Sequence, residues 1–327
     1  YIMKPKLLLC PGTAYSATTP LYYTLSVDQR YCHGGYDKEY KQLYLDYLRG
    51  NPEYRHYLKH QFRRMFQNKV KTHNEFGGER QRHPDVHYTN PFVKFTEEEK
   101  EYFFNPPTEI SKYIEYFTKH YENIKGTYES VCDFSTDYGY FTQEHLSKIA
   151  PQLKEAFDVK VVMIFRDPVR RLFSQCQKAF YGMPEHFKPP FDTAVEYFFH
   201  LIETDYDRSI ICTDDKKSIK TAYKDMIDNW SEHFDVHYFA MEDLHTEQDT
   251  VDALSDYLEY PIKIIHENVY FPEMGSSAPK LDYLADQWMS DFEDLSEQQL
   301  KKARQLLDVA YTSYPGKLSS NWICSST

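Results

Sequence analysis

The chain has no run of about 18 apolar residues, so nothing in it reads as a membrane-spanning helix. It has no C-x-x-C pair: its six cysteines, Cys10, Cys32, Cys132, Cys176, Cys212 and Cys324, are scattered. That spacing excludes the usual zinc frameworks and reads as reduced thiols filling small apolar sites. Basic charge is in deficit. A formal net charge of −12 argues against a general nucleic-acid surface, so an anionic ligand would need a local positive pocket inside an acidic envelope. Internal repeats and low-complexity tracts are absent. No leader is evident either, because Met3 is followed almost at once by an apolar strand pattern. These absences describe a chain expected to be cytoplasmic, with a luminal domain cut from a longer anchored protein left open. Its 327 residues and 41% hydrophobic content are enough for one large α/β domain.

The chain is organised around residues 159–182. Val159, Val161, Val162, Met163, Ile164 and Phe165 form a nearly continuous apolar run, the pattern of a strand buried on both faces of a parallel sheet. Asp167 is a good helix N-cap and Pro168 suits the first helical position. A helix is expected from there to Tyr181, stopped by Gly182. Arg171, Ser174 and Lys178 recur at helical spacing and share a face. A buried strand that ends in Arg166 and turns into a helix N-terminus makes an anion site.

A second strand, loop and helix opens the chain. KPKLLLC at 4–10 reads as a strand, PGTAYSATT at 11–19 as a small, hydroxyl-rich loop, and PLYYTLS at 20–26 as helical. That layout cradles phosphate. It lacks the Walker A lysine: in the frame from Gly12 the second glycine falls on Ala17 and the lysine on Thr18. A P-loop phosphotransferase is disfavoured accordingly.

The pattern R-D-P-x-x-R-x-x-S after a strand resembles the 3′-phosphate-binding motif of sulfotransferases at Arg166, Pro168, Arg171 and Ser174. Ser16-Ala17-Thr18-Thr19-Pro20-Leu21 is similar to the 5′-phosphosulfate loop of the same family. The resemblance implies a donor, 3′-phosphoadenosine 5′-phosphosulfate (PAPS), with adenosine 3′,5′-bisphosphate (PAP) as product. It implies that Arg166 and Ser174 grip the 3′-phosphate and that Ser16, Ala17, Thr18 and Thr19 hold the 5′-phosphosulfate. Two departures stand out. The family glycine is Ala17, and the family's catalytic lysine aligns with Tyr15, whose phenol supplies no charge. Lys38 and Lys41 are candidates to replace that cation.

The family's acceptor-activating base follows the first helix, as a His or as a Glu in a K-E pair. Here both occur, as His33 and as Lys38-Glu39, and His has the apter unperturbed pKa. The Lys38-Glu39 pair reads equally as the solvated first turn of a helix starting near Asp37. Residues 51–107, basic at first and then rich in Gly and Pro, read as an insertion or lid over the acceptor. The basic run reads also as a solvated face.

Helices are expected at 108–123, 143–157, 191–203, 216–232, 246–258 and 296–311, and further strands at 130–134 and 235–240. Asp133 and Ser135 end one of these strands, where open α/β sheets bind ligands. They are candidate acceptor contacts or, alternatively, caps for the next helix. Met241-Glu242-Asp243-Leu244 resembles a strand-then-E-D-L step of the family. Lys280, in a small-residue loop, stands where the family closes over the 3′-phosphate.

The expected fold is a three-layer, P-loop-like α/β sulfotransferase fold. It would have a central mainly parallel sheet, a helical insertion at 51–107 and one domain over 1–327. The implied partner is a small-molecule or glycan acceptor, with no nucleic acid and no metal. The alternative function is a member that binds the nucleotide or a sulfated ligand without transfer, which Tyr15 favours.

Overall fold

The computed structural model describes residues 4–13, 16, 18–34, 43, 109–181, 189–204, 223–263, 295–311 and 314–316. Among the described residues five strands form one sheet: β1 Lys6–Leu9, β2 Cys32–His33, β3 Ser130–Asp133, β4 Asp158–Phe165 and β5 Val236–Ala240. Their order is β2-β3-β1-β4-β5, and every pairing is parallel. Leu9 pairs with Asp133 on one side and with Val161 on the other.

Alternation along the central strands divides the core into two faces. Leu7, Leu9, Val131, Val161, Met163 and Phe165 point one way. They meet α2 (Ile110–Ile124), α3 (Gln143–Ala156) and α6 (Tyr223–Ser231), through Tyr113, Phe117, Leu146, Leu153 and Trp230. Leu8, Cys10, Cys132, Val162 and Ile164 point the other way. They meet α1 (Thr18–Tyr23) and α8 (Gln248–Leu258), through Leu21, Val251, Leu254 and Leu258. The result is helix, sheet, helix, as expected from apolar strands that lack a polar face. The carboxyl half of β4, Val161 to Phe165, is fully buried. Each of these side chains contributes about 1.5–3 kcal/mol.

Helices α4 (Pro168–Tyr181), α5 (Ala194–Thr204) and α9 (Glu297–Leu306) form a separate apolar cluster around Leu172, Cys176, Phe198, Ile202 and Ala303. Two short helices are also described, α7 (Met241–Thr246) directly after β5 and α10 (Asp308–Tyr311) after α9.

Several sequence expectations need correction. β2 was not anticipated. The first helix gives way at Thr24 to a π-helical turn, Thr24–Asp28. The stretch expected to be helical from 246 begins earlier, at Met241, and is interrupted at Glu247. The last helix breaks at Leu307, whose φ of −107° and ψ of 19° leave the helical region. Thr142, not Asp133 or Ser135, caps α3, its side chain accepting from His145 N–H. Ser296 caps α9 in a full capping box with Gln299.

Cys10, Cys32, Cys132 and Cys176 are buried. Burial and the neighbouring Cys32 push the Cys132 thiol well up, so it stays protonated and inert. Among the described residues no helix is long and apolar enough to cross a membrane. The residues 51–107, Gly182 and the 216–222 part of an expected helix lie outside the described residues, so the insertion reading does too.

Candidate anion-binding site

β1 is the point where the sheet's connections diverge. The chain leaves β1 toward the β2 edge and leaves β4 toward the β5 edge, so a crevice opens past the carboxyl ends of β1 and β4. Open parallel sheets bind ligands at such a crevice. Both motifs singled out in the sequence arrive there, one from each strand.

On the β1 side the loop is held down by the segment that follows β3. Cys10 N–H donates to the Asp133 carbonyl at 2.9 Å and Gly12 N–H to the Thr136 carbonyl at 3.2 Å. Gly12 lies against β4: a Cβ there would stand 3.3 Å from the Ile164 carbonyl oxygen. A Cβ on Gly139 would come within 2.2 Å of the Gly12 carbonyl oxygen, so glycine is required where the two backbones cross. Beyond Gly12 the Thr13 and Ser16 hydroxyls hydrogen-bond to each other, and Thr13, Ser16 and Thr18 are buried. Thr19 lies in α1. Tyr15 and Ala17 lie outside the described residues.

On the β4 side the Arg166-Asp167-Pro168 turn has the local structure its residues dictate. Asp167 Oδ1 accepts from Arg170 N–H at 3.0 Å and so caps α4, with Pro168 first in the helix. Arg166 Nη1 donates to Ser174 Oγ at 3.0 Å, and both residues are half-buried. The guanidinium and the hydroxyl are therefore side by side near the start of a 14-residue helix. Burial pulls the Arg166 pKa down and Glu242 opposes that effect, but an arginine stays charged. Arg171, expected on the Ser174 face, is almost fully buried, and its charge acts on the Tyr223 phenol. Lys178 lies in α4.

Four further residues shape this site, and of these Glu242 alone carried a signal in the sequence, through the E-D-L step. Tyr223 Oη donates to the Arg166 carbonyl at 2.9 Å and also reaches Arg171 and Thr13, tying both loops together. Its burial pushes its pKa up to about 12. Glu242, in the first turn of α7, accepts from Asp167 N–H at 3.2 Å. Tyr311 donates to Asp167 Oδ2 at 2.6 Å and Tyr314 to Glu242 Oε2 at 2.5 Å.

The other candidates are placed as follows. Asp133 is wholly buried. Its carboxylate accepts from Tyr113 Oη at 3.2 Å, Tyr138 Oη at 2.9 Å, Ser135 N–H at 3.1 Å and Ser135 Oγ at 2.6 Å. Tyr138 Oη also accepts from Leu43 N–H at 3.1 Å, and His145 Nε2 donates to the Leu43 carbonyl at 2.7 Å. Leu43 is thus clasped at both backbone groups. His33 sits on the edge strand β2, with β3 between it and β1. Its Nδ1 is 3.0 Å from His120 Nε2, and its ring packs on Tyr128. Burial, with His33 adding to it, pushes the His120 pKa down to about 3, so His120 is neutral near pH 7. Lys38, Glu39, Lys41 and Lys280 lie outside the described residues. The structure brings Arg166, Ser174, Thr13 and Ser16 to one crevice and places His33 apart from it.

No family model and no curated protein matches the chain. Among solved structures, it is similar to a sulfotransferase from Alicyclobacillus acidocaldarius, with 13% identity and a TM-score of 0.42 over 92% of this chain and 95% of that one. It is also similar to the sulfotransferase domain from the curacin biosynthetic pathway, with 14% identity and a TM-score of 0.40 over 94% of this chain and 98% of that one.

Proposed function

We propose that this chain transfers a sulfuryl group from PAPS to a hydroxyl or amine of a small-molecule or glycan acceptor. The observation that carries the reading is the Arg166–Ser174 pair, a guanidinium and a hydroxyl 3.0 Å apart at the start of α4, across the crevice from the Thr13–Ser16 loop. This is donor chemistry suited to a phosphate dianion: a fork of charged N–H groups, a hydroxyl and a helix N-terminus. The glycine crossing at Gly12 and Gly139 supports the same reading, because it lets the β1 loop lie flat against the end of β4.

In this reading Arg166 and Ser174 hold the 3′-phosphate, with Lys280 closing over it. Ser16, Ala17, Thr18 and Thr19 hold the 5′-phosphosulfate, joined by Thr13. The donor supplies an electrophilic sulfur and a bisphosphate leaving group. Glu39 or His33 takes the acceptor's proton, and neutral His120 can share a proton with His33. Lys38, Lys41 or Tyr15 supplies charge or a hydrogen bond to the departing oxygen. Asp133 and Ser135 line the acceptor side through the wall they build. Most of the rate enhancement comes from positioning and charge stabilisation, without a metal. Buried thiols suit a reducing, cytoplasmic compartment. We take 1–327 as one domain with 51–107 as its insertion.

The test is calorimetric titration of wild type and Arg166→Ala with PAP, AMP and ATP. Micromolar binding of PAP in preference to AMP and ATP, lost in the variant, is expected. Equal or absent binding of all three overturns the reading. Tyr15 favours a second reading, binding without transfer. Transfer that appears only on Tyr15→Lys would establish that second reading.

A further inference from the structure

Two carboxylates flank the proposed phosphate-binding arginine, and each is held at both oxygens. Asp167 takes the Arg170 amide on Oδ1 at 3.0 Å and the Tyr311 hydroxyl on Oδ2 at 2.6 Å. Glu242 takes the Asp167 amide on Oε1 at 3.2 Å and the Tyr314 hydroxyl on Oε2 at 2.5 Å. In each case one oxygen is committed to the turn and the other to a phenol near the end of the described chain. Tyr314 packs against Tyr223, and Tyr223 in turn holds the Arg166 carbonyl.

This arrangement matters for an anion. Glu242 and Asp167 both act on the Arg166 charge, Glu242 the more strongly. A carboxylate beside a guanidinium competes with phosphate for the same N–H groups, because each presents two oxyanion oxygens that accept its fork. A phenol hydroxyl bound to the carboxylate occupies one of its oxygens and fixes its direction. Burial, together with the carboxylates themselves, keeps both phenols protonated well above neutral pH, so they remain donors.

We propose that Tyr311 and Tyr314 form a carboxylate latch that restrains Asp167 and Glu242 and so keeps the Arg166 guanidinium available to an incoming phosphate group. The proposal rests on the reading of Arg166 as the phosphate ligand. Both tyrosines are positioning residues, because they act through the carboxylates.

The latch predicts a coupling that a purely structural role does not. In Tyr314→Phe the freed Glu242 oxygen competes for Arg166, and phosphate affinity falls about tenfold. Adding Glu242→Gln to that variant restores affinity to within about twofold, because the amide oxygen still accepts the Asp167 N–H while the competing charge is gone. Tyr311→Phe and Tyr311→Phe with Asp167→Asn form an independent pair, since Asn also caps a helix. A variant pair that fails to fold is judged on the other.

The experiment titrates wild type and these four variants calorimetrically with PAP and, in parallel, with inorganic pyrophosphate. Weakening by each Phe and recovery by each amide supports the latch. Phe variants that bind as wild type, or double variants no better than the single ones, overturn it. If wild type binds pyrophosphate but not PAP, the donor reading fails while the latch is judged on the pyrophosphate titrations. If wild type binds neither, both fall.

Discussion

Replacing Asp133 by Asn separates a residue that holds the site's wall together from one that meets the acceptor directly. The carboxylate accepts four hydrogen bonds, two on Oδ1 from Ser135 and two on Oδ2 from the Tyr113 and Tyr138 hydroxyls. An ionised carboxylate is an acceptor only, so four donors suit it; an amide has one oxygen and one NH2. The amide oxygen must face Ser135, whose backbone N–H cannot turn. The NH2 then faces the two tyrosines. Tyr138 Oη already accepts the Leu43 amide, so turning its proton away leaves that proton buried without its acceptor. Two hydrogen bonds to a charged group, each worth about 1.5–3 kcal/mol, are lost and partly replaced, for a net cost of about 2–4 kcal/mol. Urea unfolding followed by circular dichroism should show the midpoint falling by about 1 M. An Asp133→Asn protein as stable as wild type, with a raised KM for its acceptor, would refute the reasoning and make Asp133 a direct acceptor contact.

Three further outcomes are expected. Gly139→Ala places a Cβ against the Gly12 carbonyl oxygen and should cost about 3 kcal/mol in chemical denaturation, with PAP binding weakened because the β1 loop is displaced. Tyr223→Phe should weaken PAP binding about tenfold in calorimetry and lower stability by about 1–2 kcal/mol, since its hydroxyl links the Arg166 carbonyl to Arg171 and Thr13. The folded His120 ring resists protonation down to about pH 3, whereas the unfolded chain takes up that proton near pH 6.5. Stability is therefore full above pH 6.5 and declines as pH falls through that window, and between pH 7 and 5 wild type should lose about 2 kcal/mol more than His120→Gln in urea titrations.

Legibility in the sequence followed how local the cause of each feature was. β1, β3, β4 and β5 could be read because each is an apolar run whose neighbours in sequence stop it. β2 could not, since Cys32 and His33 are a strand only by virtue of pairing with Ser130 and Val131, about 100 residues away. The break at Leu307 and the π-turn after Tyr23 escaped for a related reason: propensity favours continuing a helix, and tertiary packing overrides it. Arg166 and Ser174 were visible because nine residues of one turn and helix contain both. The contacts of Tyr223, Glu242, Tyr311 and Tyr314 were not, because these residues converge on Arg166 and Asp167 from three distant segments, and a tyrosine bound for a carboxylate looks like any other among thirty. Asp133 was located correctly at the end of its strand, but its four hydrogen bonds depend on Tyr113 and Tyr138, which no spacing rule connects to it.

The position of β1 at the middle of the sheet has a consequence for how the protein is made. β1 leaves the ribosome ahead of the other described strands, and its partners β3 and β4 lie roughly 120 and 150 residues downstream. At about 5–20 residues per second, Leu7, Leu8 and Leu9 wait on the order of ten seconds before either neighbour exists. A nascent chain that ends before Asp158 has no way to complete the central strand's hydrogen bonds, and its LLLC segment remains an open template for other chains. Yield in a cell is thus set largely by what shields that segment during synthesis, and slowing translation across residues 34–130 would lengthen its exposure.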